Sequence, residues 1–153
     1  MSELARLVDH QAIADLLHRY CRCCDRNDWP GIAACFTVDC VADYGPAVGP
    51  PTRGRQARHD DAAAALRLFS ATSHQLANVT VEFLDADAAQ TIAALYAWHR
   101  PLAGGPDWEL WGEYHDRVVR TDGGWLIAER RMLVAGTRNF PDDWRFLATP
   151  RRP

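Results

Sequence analysis

The sequence changes its periodicity near residue 70, and this change restricts the folds that the chain can adopt. Before it, apolar residues recur at intervals of three and four positions, which is typical of helices that bury one face. After it, from Leu76 onward, apolar and β-branched residues alternate with polar ones, which is typical of strands. Helices first and long consecutive strands second predict an α+β fold, in which an antiparallel sheet carries the helices on one face.

Three helices are predicted before the change in pattern, over residues 9–26, 31–36 and 55–69. The apolar stripe of the first helix consists of Ile13, Leu16, Leu17, Tyr20 and Cys24. Asp9 is the expected N-cap of this helix, because its carboxylate can accept hydrogen bonds from the free backbone N–H groups of the first turn. Asp28 is expected to cap the second helix, which has Pro30 in its first turn.

Five strands are predicted, over residues 39–44, 74–84, 90–100, 108–120 and 125–134. The last two are joined by Asp122-Gly123, a pair that favours a tight hairpin turn. Residues 45–54 contain three Pro and three Gly and are predicted to form a long loop. Long loops in compact domains often cover a binding site.

The length and composition indicate one globular domain. We expect it to span residues 1–153, with a core over about 8–134 and a C-terminal tail over 135–153. A formal net charge of −3 offers no basic surface for nucleic acid, so no nucleic-acid partner is expected. No stretch has the apolar character of a signal peptide or a membrane span, and we therefore expect no membrane partner and a cytoplasmic location.

The five cysteines are interpreted as small buried thiols without disulfides. Cys21 and Cys24 lie one helical turn apart, with His18 one turn earlier, so a metal site has to be considered. A structural zinc site needs a second pair of ligands, and Cys35 and Cys40 have the wrong spacing to supply it. We therefore expect no metal and no cofactor.

The strand over residues 74–84 begins with His74, whose imidazole can exchange protons near neutral pH. A histidine in this position is either a structural side chain, hydrogen-bonded to a turn, or a general base. A carboxylate partner would favour the second interpretation, because it holds the tautomer and stabilises the imidazolium that forms. Asp25 is a candidate partner. A carboxylate near a helix C-terminus is electrostatically unfavourable, and this mismatch favours a functional role.

Several segments, in matching order, resemble the SnoaL-like group of the nuclear transport factor 2-like superfamily, and especially its dehydratases and dehydrochlorinases. They span about residues 8–134 and include Asp25-x-x-Asp28-Trp29, Ser73-His74-x-x-x-Asn78-Val79, Trp98-His99-Arg100 and Asp122-Gly123-Gly124-Trp125. The resemblance implies a cone-shaped α+β barrel, with three N-terminal helices packed on a curved, mostly antiparallel sheet.

The resemblance also implies roles for individual residues. Asp25 and His74 stand where these relatives carry a catalytic pair, and we expect their side chains to lie within about 2.6–3.2 Å of each other. The other catalytic candidates are Tyr44, Tyr20, His99 and Arg130. The tyrosines would polarise a carbonyl group or protonate a leaving hydroxyl group, although core packing explains Tyr20 equally well. The arginine would offset charge on a leaving group, and the sequence leaves open whether Arg130 or Arg131 faces the pocket.

The expected ligand is a small hydrophobic cyclic molecule, similar to a polyketide, steroid or terpenoid, in an enclosed pocket. The substrate-binding candidates are Trp29, Phe36, Asn78, Leu95 and Trp111. The predicted function is a cofactor-independent lyase, foremost a dehydratase, that uses His/Asp general acid–base chemistry. An isomerase or a polyketide cyclase is the alternative among enzymes, since these reactions begin with the same proton abstraction. A non-catalytic ligand-binding or structural subunit is the alternative from another class.

The strand over residues 90–100 is apolar on both faces. One face carries Ile92, Ala94, Tyr96 and Trp98, and the other carries Ala93, Leu95 and Ala97. Because helices can cover only one face of the sheet, we expect a homo-oligomer, a dimer or a trimer, to cover the other.

Overall fold

The computed structural model describes residues 2–149, which form three helices and six strands. In chain order these are α1 (Glu3–Asp25), α2 (Trp29–Ala34), β1 (Phe36–Asp43), β2 (Thr52–Arg53), α3 (Arg55–Leu66), β3 (Phe69–Phe83), β4 (Ala88–Pro101), β5 (Trp108–Thr121) and β6 (Gly124–Arg138). Met1 and residues 150–153, which the predicted domain includes, lie outside the described residues. The predicted order of helices and strands is confirmed, and β2 is an additional short strand within the predicted loop.

The six strands form one curved sheet in the order β2-β1-β6-β5-β4-β3. Strands β3 to β6 are antiparallel neighbours in succession, because short turns join them, whereas β1 runs parallel to β6. Shifts in register, for example between Ala77 and Thr80 on β3, bend the sheet locally. The sheet curves around the helices without closing, since β2 and β3 remain its edges. The fold is therefore the expected α+β cone. It is not a closed barrel, because the edge strands β2 and β3 do not pair with each other.

Helix α1 packs into the concave face of the sheet along its predicted apolar stripe. Ile13 and Leu17 are fully buried and share one core with Val118 and Ile127 of the sheet. Burying a side chain of this size stabilises a fold by about 1.5–3 kcal/mol relative to leaving it exposed. The helix ends at Asp25, where the stripe gives way to a carboxylate that lies against β3.

The start of α1 differs from the prediction, because Asp9 is not its N-cap. Ser2 takes that position and accepts a hydrogen bond from the backbone N–H of Ala5 (3.2 Å). Asp9 is buried within the helix, where its carboxylate accepts hydrogen bonds from Arg120 (2.6 Å) and from the indole N–H of Trp125 (3.1 Å). The side chain therefore fastens α1 to the β5–β6 hairpin. The predicted cap of α2 is confirmed by a hydrogen bond from the N–H of Gly31 to Asp28 (2.9 Å).

Residues 139–149, here called the C-terminal segment, fold back onto the sheet. The N–H of Val134 donates to the carbonyl of Leu147 (2.7 Å), and the N–H of Thr149 donates to the carbonyl of Val134 (3.1 Å). The segment also meets the loop before β2, since the N–H of Ala47 donates to the carbonyl of Arg145 (2.6 Å). The loop and the C-terminal segment together close one side of the cone.

Candidate active site

A cavity of about 320 Å³ lies between the helices and the concave face of the sheet. Strands β4, β5 and β6 supply inward side chains, α1 and α3 supply the sides, and the C-terminal segment supplies a further wall. Most of the lining is apolar, including Leu66, Leu95, Ala97, Leu110 and Met132. A few polar groups interrupt it, which is the usual composition of a small-molecule site. These are Tyr20, Tyr44, Arg58, Asp61, His74, His99 and Tyr114.

His74 and Asp25 meet at one side of this cavity. Oδ1 of Asp25 lies 2.7 Å from Nδ1 of His74, within the expected range. The backbone N–H of His74 donates to both carboxylate oxygens (3.1 and 3.0 Å), and the hydroxyl of Thr72 donates to Oδ1 (3.1 Å). Because an ionised carboxylate only accepts, the neutral imidazole carries its proton on Nδ1 and keeps Nε2 as a base. The His74 side chain is 8% exposed and lines the cavity.

The surroundings of Asp25 keep its carboxylate ionised. Burial opposes ionisation, but hydrogen bonds from the ring and the backbone N–H of His74 outweigh it and lower the pKa of Asp25. This arrangement follows from the local fold, because α1 ends at Asp25 next to β3. His74 of β3 therefore presents both its backbone N–H and its ring N–H to the carboxylate. An ionised Asp25 is then able to stabilise the imidazolium of His74.

Two phenols stand together in the wall of the cavity. The hydroxyl of Tyr20, on the apolar stripe of α1, lies 2.8 Å from the hydroxyl of Tyr44, which follows β1. The ring of Tyr114 packs edge-on against both, at centroid distances of 5.8 and 6.3 Å. Burial raises the pKa of Tyr20 and that of Tyr114 far above the usual value, so both keep their protons. Tyr20 is thus both a core residue and a cavity residue.

His99 lies beside His74 on the neighbouring strand, with ring centroids 5.3 Å apart and ring planes nearly perpendicular. Burial, and then the adjacent His74, lower the pKa of His99 to about 3. Its Nδ1 is buried and has no hydrogen-bond partner among residues 2–149. His99 is therefore a neutral polar group next to the candidate base.

Arg130 points into the core, whereas Arg131 is exposed. The guanidinium of Arg130 donates to both oxygens of Asp116 (2.8 and 2.7 Å), and both side chains are completely buried. It also lies over the rings of Tyr20 (4.1 Å) and Tyr114 (4.0 Å). Arg130 is not among the residues that line the cavity, which corrects the expectation that it meets a leaving group. Its charge is held by Asp116 behind the phenols.

Among the five substrate-binding candidates, only Leu95 lines the cavity. Phe36 is fully buried in the core beside it, and Trp29 packs against the residues that follow α3. Asn78 is exposed at the bulge of β3, where its positive φ of 50° serves the backbone irregularity. Trp111 is 38% exposed on the outer face of β5, because strand alternation places its neighbours, and not Trp111, toward the cavity.

Two buried residues line the cavity but were not identified from the sequence, namely Arg58 and Tyr114. Arg58 on α3 is buried, lines the cavity and lies 4.6 Å from the ring centre of Tyr44. Its spacing of one and two turns from Ala62 and Leu66, both buried, is the signal that places it on the inner face of α3. Tyr114 is marked in a similar way, since it has the strand parity of the inward-facing Leu110.

The aromatic residues of the C-terminal segment were also missed, and they form the further wall of the cavity. They are Phe140, Trp144 and Phe146. Their rings contact one another at centroid distances of 5.4 to 6.2 Å, and Phe140 lies 6.0 Å from His99. The signal was the density of aromatic residues in an otherwise polar stretch, which indicates burial of the stretch.

All five cysteines are free thiols in the structure. Burial raises the pKa of Cys21 to about 12 and that of Cys23 to about 11, so these thiols remain protonated. Among residues 2–149, no group of three or more His, Cys, Asp or Glu side chains is arranged to hold a metal ion. Within the same range, none of the helices combines the length and the apolar character that crossing a membrane requires.

Comparisons with known proteins agree with this architecture. The family model described as the SnoaL-like domain matches residues 5–131. Among solved structures, the chain is similar to a provisionally assigned scytalone dehydratase from Novosphingobium aromaticivorans DSM 12444. The identity is 27% and the TM-score 0.91, over 99% of this chain and 100% of that one.

Two further structures share the fold. A Mycobacterium tuberculosis protein of unknown function is 30% identical over 84% of this chain and 77% of that one, with a TM-score of 0.73. A hexachlorocyclohexane dehydrochlorinase from Novosphingobium barchaimii LL02 is 19% identical over 97% of this chain and 100% of that one, with a TM-score of 0.80. No curated protein matches the sequence significantly.

Proposed function

The chain belongs to the SnoaL-like domain family, and from this membership and the geometry of the cavity we propose that it is a cofactor-independent lyase of the dehydratase type. Its substrate is a small hydrophobic cyclic molecule that carries a hydroxyl group and a carbonyl group. His74, oriented by Asp25, acts as the general base, and Tyr44 acts on the substrate oxygen.

The observation that carries the proposal is the contact of 2.7 Å between Asp25 and His74 at the edge of an apolar cavity. A carboxylate on Nδ1 leaves Nε2 as the only basic nitrogen of the ring, and His74 lines the cavity. The pair therefore has the composition of a general base with its orienting group.

In the proposed reaction, Nε2 of His74 takes a proton from the carbon next to the carbonyl group. The electron pair of that C–H bond forms a C=C bond as the C–O bond to the hydroxyl group breaks. Returning the proton from the imidazolium to the departing hydroxide gives water and restores neutral His74. Asp25 stabilises the imidazolium between these steps, and its lowered pKa keeps it ionised for this purpose.

The phenol pair supports the second half of the reaction. Tyr20 keeps its proton because burial raises its pKa, so it is able to donate to the oxygen of Tyr44 at 2.8 Å. The hydroxyl proton of Tyr44 is then free to bond to the substrate. A hydrogen bond from Tyr44 to the carbonyl or the departing oxygen stabilises the negative charge that develops there. The similarity to a provisionally assigned scytalone dehydratase also supports a dehydration.

The test is a screen of cyclic β-hydroxy ketones, among them 3-hydroxy-1-tetralone, whose loss of water gives fluorescent 1-naphthol. We expect the wild type to convert at least one compound with release of water. His74→Ala should lower kcat on the order of 10²–10⁴-fold and leave ligand binding largely intact. Asp25→Asn should cost nearly as much, since the imidazole loses its orientation and its counter-charge.

His115→Ala is the matched control, because this imidazole pairs with Glu113 on β5 and does not line the cavity. It should leave kcat unchanged. Equal turnover of a converted substrate by the wild type and His74→Ala would exclude His74 as the base. A product of unchanged mass would indicate an isomerase, and tight binding without turnover across the screen would indicate a ligand-binding protein.

A further inference from the structure

Arg58 places a positive charge in the wall of an otherwise apolar cavity. Its side chain is 4% exposed, and it lines the cavity together with Tyr44 and Asp61. Nη1 donates to Asp61 (3.2 Å), while Nε is buried without a hydrogen-bond partner among residues 2–149. A buried donor that lacks an acceptor is costly, and a ligand in the cavity is one source of such an acceptor.

Other arginines of the same protein show what this edge of a guanidinium binds. Arg130 uses Nε and Nη2 to hold the two oxygens of Asp116, and Arg100 uses the same two atoms toward Asp107. Two parallel N–H groups match the two oxygens of a carboxylate. In the described part of the chain, Nε of Arg58 has no acceptor, and Asp61 meets Nη1 rather than the edge that Arg130 and Arg100 use.

The protein itself only partly balances the charge of Arg58. Asp61 is 40% exposed, and it also accepts a hydrogen bond from the hydroxyl of Thr52. The other carboxylate near the cavity, Asp25, is committed to His74. The remaining polar groups in the lining are His74, three phenols and the neutral His99. The wall around Arg58 therefore favours an anion over a neutral ligand.

We propose that Arg58 is the anion-binding residue of the cavity, and that the ligand class is a cyclic apolar molecule with a carboxylate group. The proposal deepens the proposed function and rests on it only for the statement that the cavity takes a small cyclic molecule. The apolar lining takes the rings, and the carboxylate reaches the Nε and Nη2 edge of Arg58. Arg58 thus selects among molecules of equal shape by charge.

The test compares two probes of nearly the same shape, 2-naphthoate and its neutral analogue 2-naphthamide, by isothermal titration calorimetry near neutral pH. We expect the wild type to bind 2-naphthoate about 10- to 100-fold more tightly, as a charged hydrogen-bonded pair provides. Arg58→Met keeps the stem but not the charge, and it should bring the ratio close to one. Arg67→Met is the matched control, because this arginine is exposed and packs on Trp29 outside the cavity. It should keep the ratio of the wild type.

Asp61→Asn provides an independent measurement if Arg58→Met does not fold. Removing the competing carboxylate should strengthen 2-naphthoate binding several-fold and leave 2-naphthamide binding unchanged. The proposal is overturned if the wild type binds both probes equally, if Arg58→Met keeps the preference, or if Asp61→Asn does not strengthen 2-naphthoate binding. An arginine that only stacks on Tyr44 gives the first or second of these results. Because the readout is binding, it fails or holds separately from the turnover test of His74.

Discussion

Two imidazoles lie side by side in the cavity, and their surroundings give them opposite properties. His74 has a carboxylate on one ring nitrogen, whereas the Nδ1 of His99 is buried without a partner in the described chain. A charged His99 would lack a counter-charge and would repel the imidazolium that forms on His74. The neutrality of His99 is therefore a condition for a strong base at His74.

Replacing His99 should make the fold less sensitive to acid. An unfolded histidine titrates near 6.5, whereas burial and the adjacent His74 lower the pKa of His99 in the folded protein to about 3. Between these values the unfolded chain binds the extra proton, so the free energy of unfolding falls as the pH falls. From pH 7 to 4.5 the wild type should lose about 2–3 kcal/mol more than His99→Phe. Urea unfolding at the two pH values measures the difference.

Phe69→Leu is the appropriate control, since this side chain packs against His99 at a centroid distance of 4.7 Å and carries no titratable group. Its stability should depend on pH in the same way as that of the wild type. Equal acid sensitivity of the wild type and His99→Phe would mean that His99 is protonated in the folded protein at pH 4.5.

Among the site residues, the pair of Asp25 and His74 could be predicted because each stands at the end of an element. The orientation of Arg130 could not. Trp125 and Ile127 face the core, and strict alternation on β6 would then direct Arg131 inward. A shift in register between β5 and β6 adds one residue to β6 at this point, and Arg130 turns inward in its place. A bulge of this kind leaves no mark in the periodicity.

Among the elements, the C-terminal segment supplies three aromatic side chains to the wall of the cavity. Trp144 contacts Trp108 (5.3 Å) and Phe140 (5.5 Å), and so joins the segment to the start of β5. Backbone hydrogen bonds hold only its end, near Leu147, to the sheet. The aromatic contacts therefore determine whether this wall stays in place.

Trp144→Ala should open the cavity while the rest of the fold remains. We expect 2-naphthol to bind on the order of tenfold more weakly, because the ligand loses an apolar wall, and the free energy of unfolding to fall by about 1–2 kcal/mol. Fluorescence titration and urea unfolding give the two values. Trp98→Ala is the control, since Trp98 lies on the outer face and bonds to Asp107. A loss of affinity in Trp98→Ala as large as that in Trp144→Ala would contradict the assignment of this wall.

The type and order of the elements followed from the sequence, but two of their limits did not. The first turns of α1 carry exposed apolar residues, Leu4, Leu7 and Val8, which do not continue the stripe, so periodicity placed the helix start too late. The C-terminal segment has no regular period because it packs through individual aromatic rings. Its role in the cavity depends on contacts with residues far away in the chain, which local patterns do not report.

For the whole molecule, the outer face of the sheet remains uncovered in the single chain. Ile92 is 41% exposed there, and Trp111 is 38% exposed and packs against Tyr96 (5.7 Å). Because the helices occupy the concave face, no element of the described chain covers the apolar outer positions of β4. A second copy of the chain supplies a surface of the same composition, and the prediction of a homo-oligomer therefore stands.

Light scattering at micromolar concentration should give the mass of a dimer or a trimer. Ile92→Arg places a charge at the centre of the uncovered face and should shift the mass toward the monomer. Leu102→Arg is the control, because Leu102 is exposed in the turn between β4 and β5, away from that face. It should leave the mass unchanged. A monomer mass for the wild type would refute the prediction.

The position of the C-terminal segment has a consequence for biosynthesis. A polypeptide emerges from the ribosome with its amino end first, so α1 to β6 emerge before residues 139–149 do. During this interval the apolar lining of the cavity is exposed to solvent on the side that the C-terminal segment later covers. A chain whose translation stops within β6 would lack this wall, and its exposed apolar residues would bind chaperones instead of a ligand. The cavity is thus complete only after residues 139–149 have emerged and packed onto the sheet.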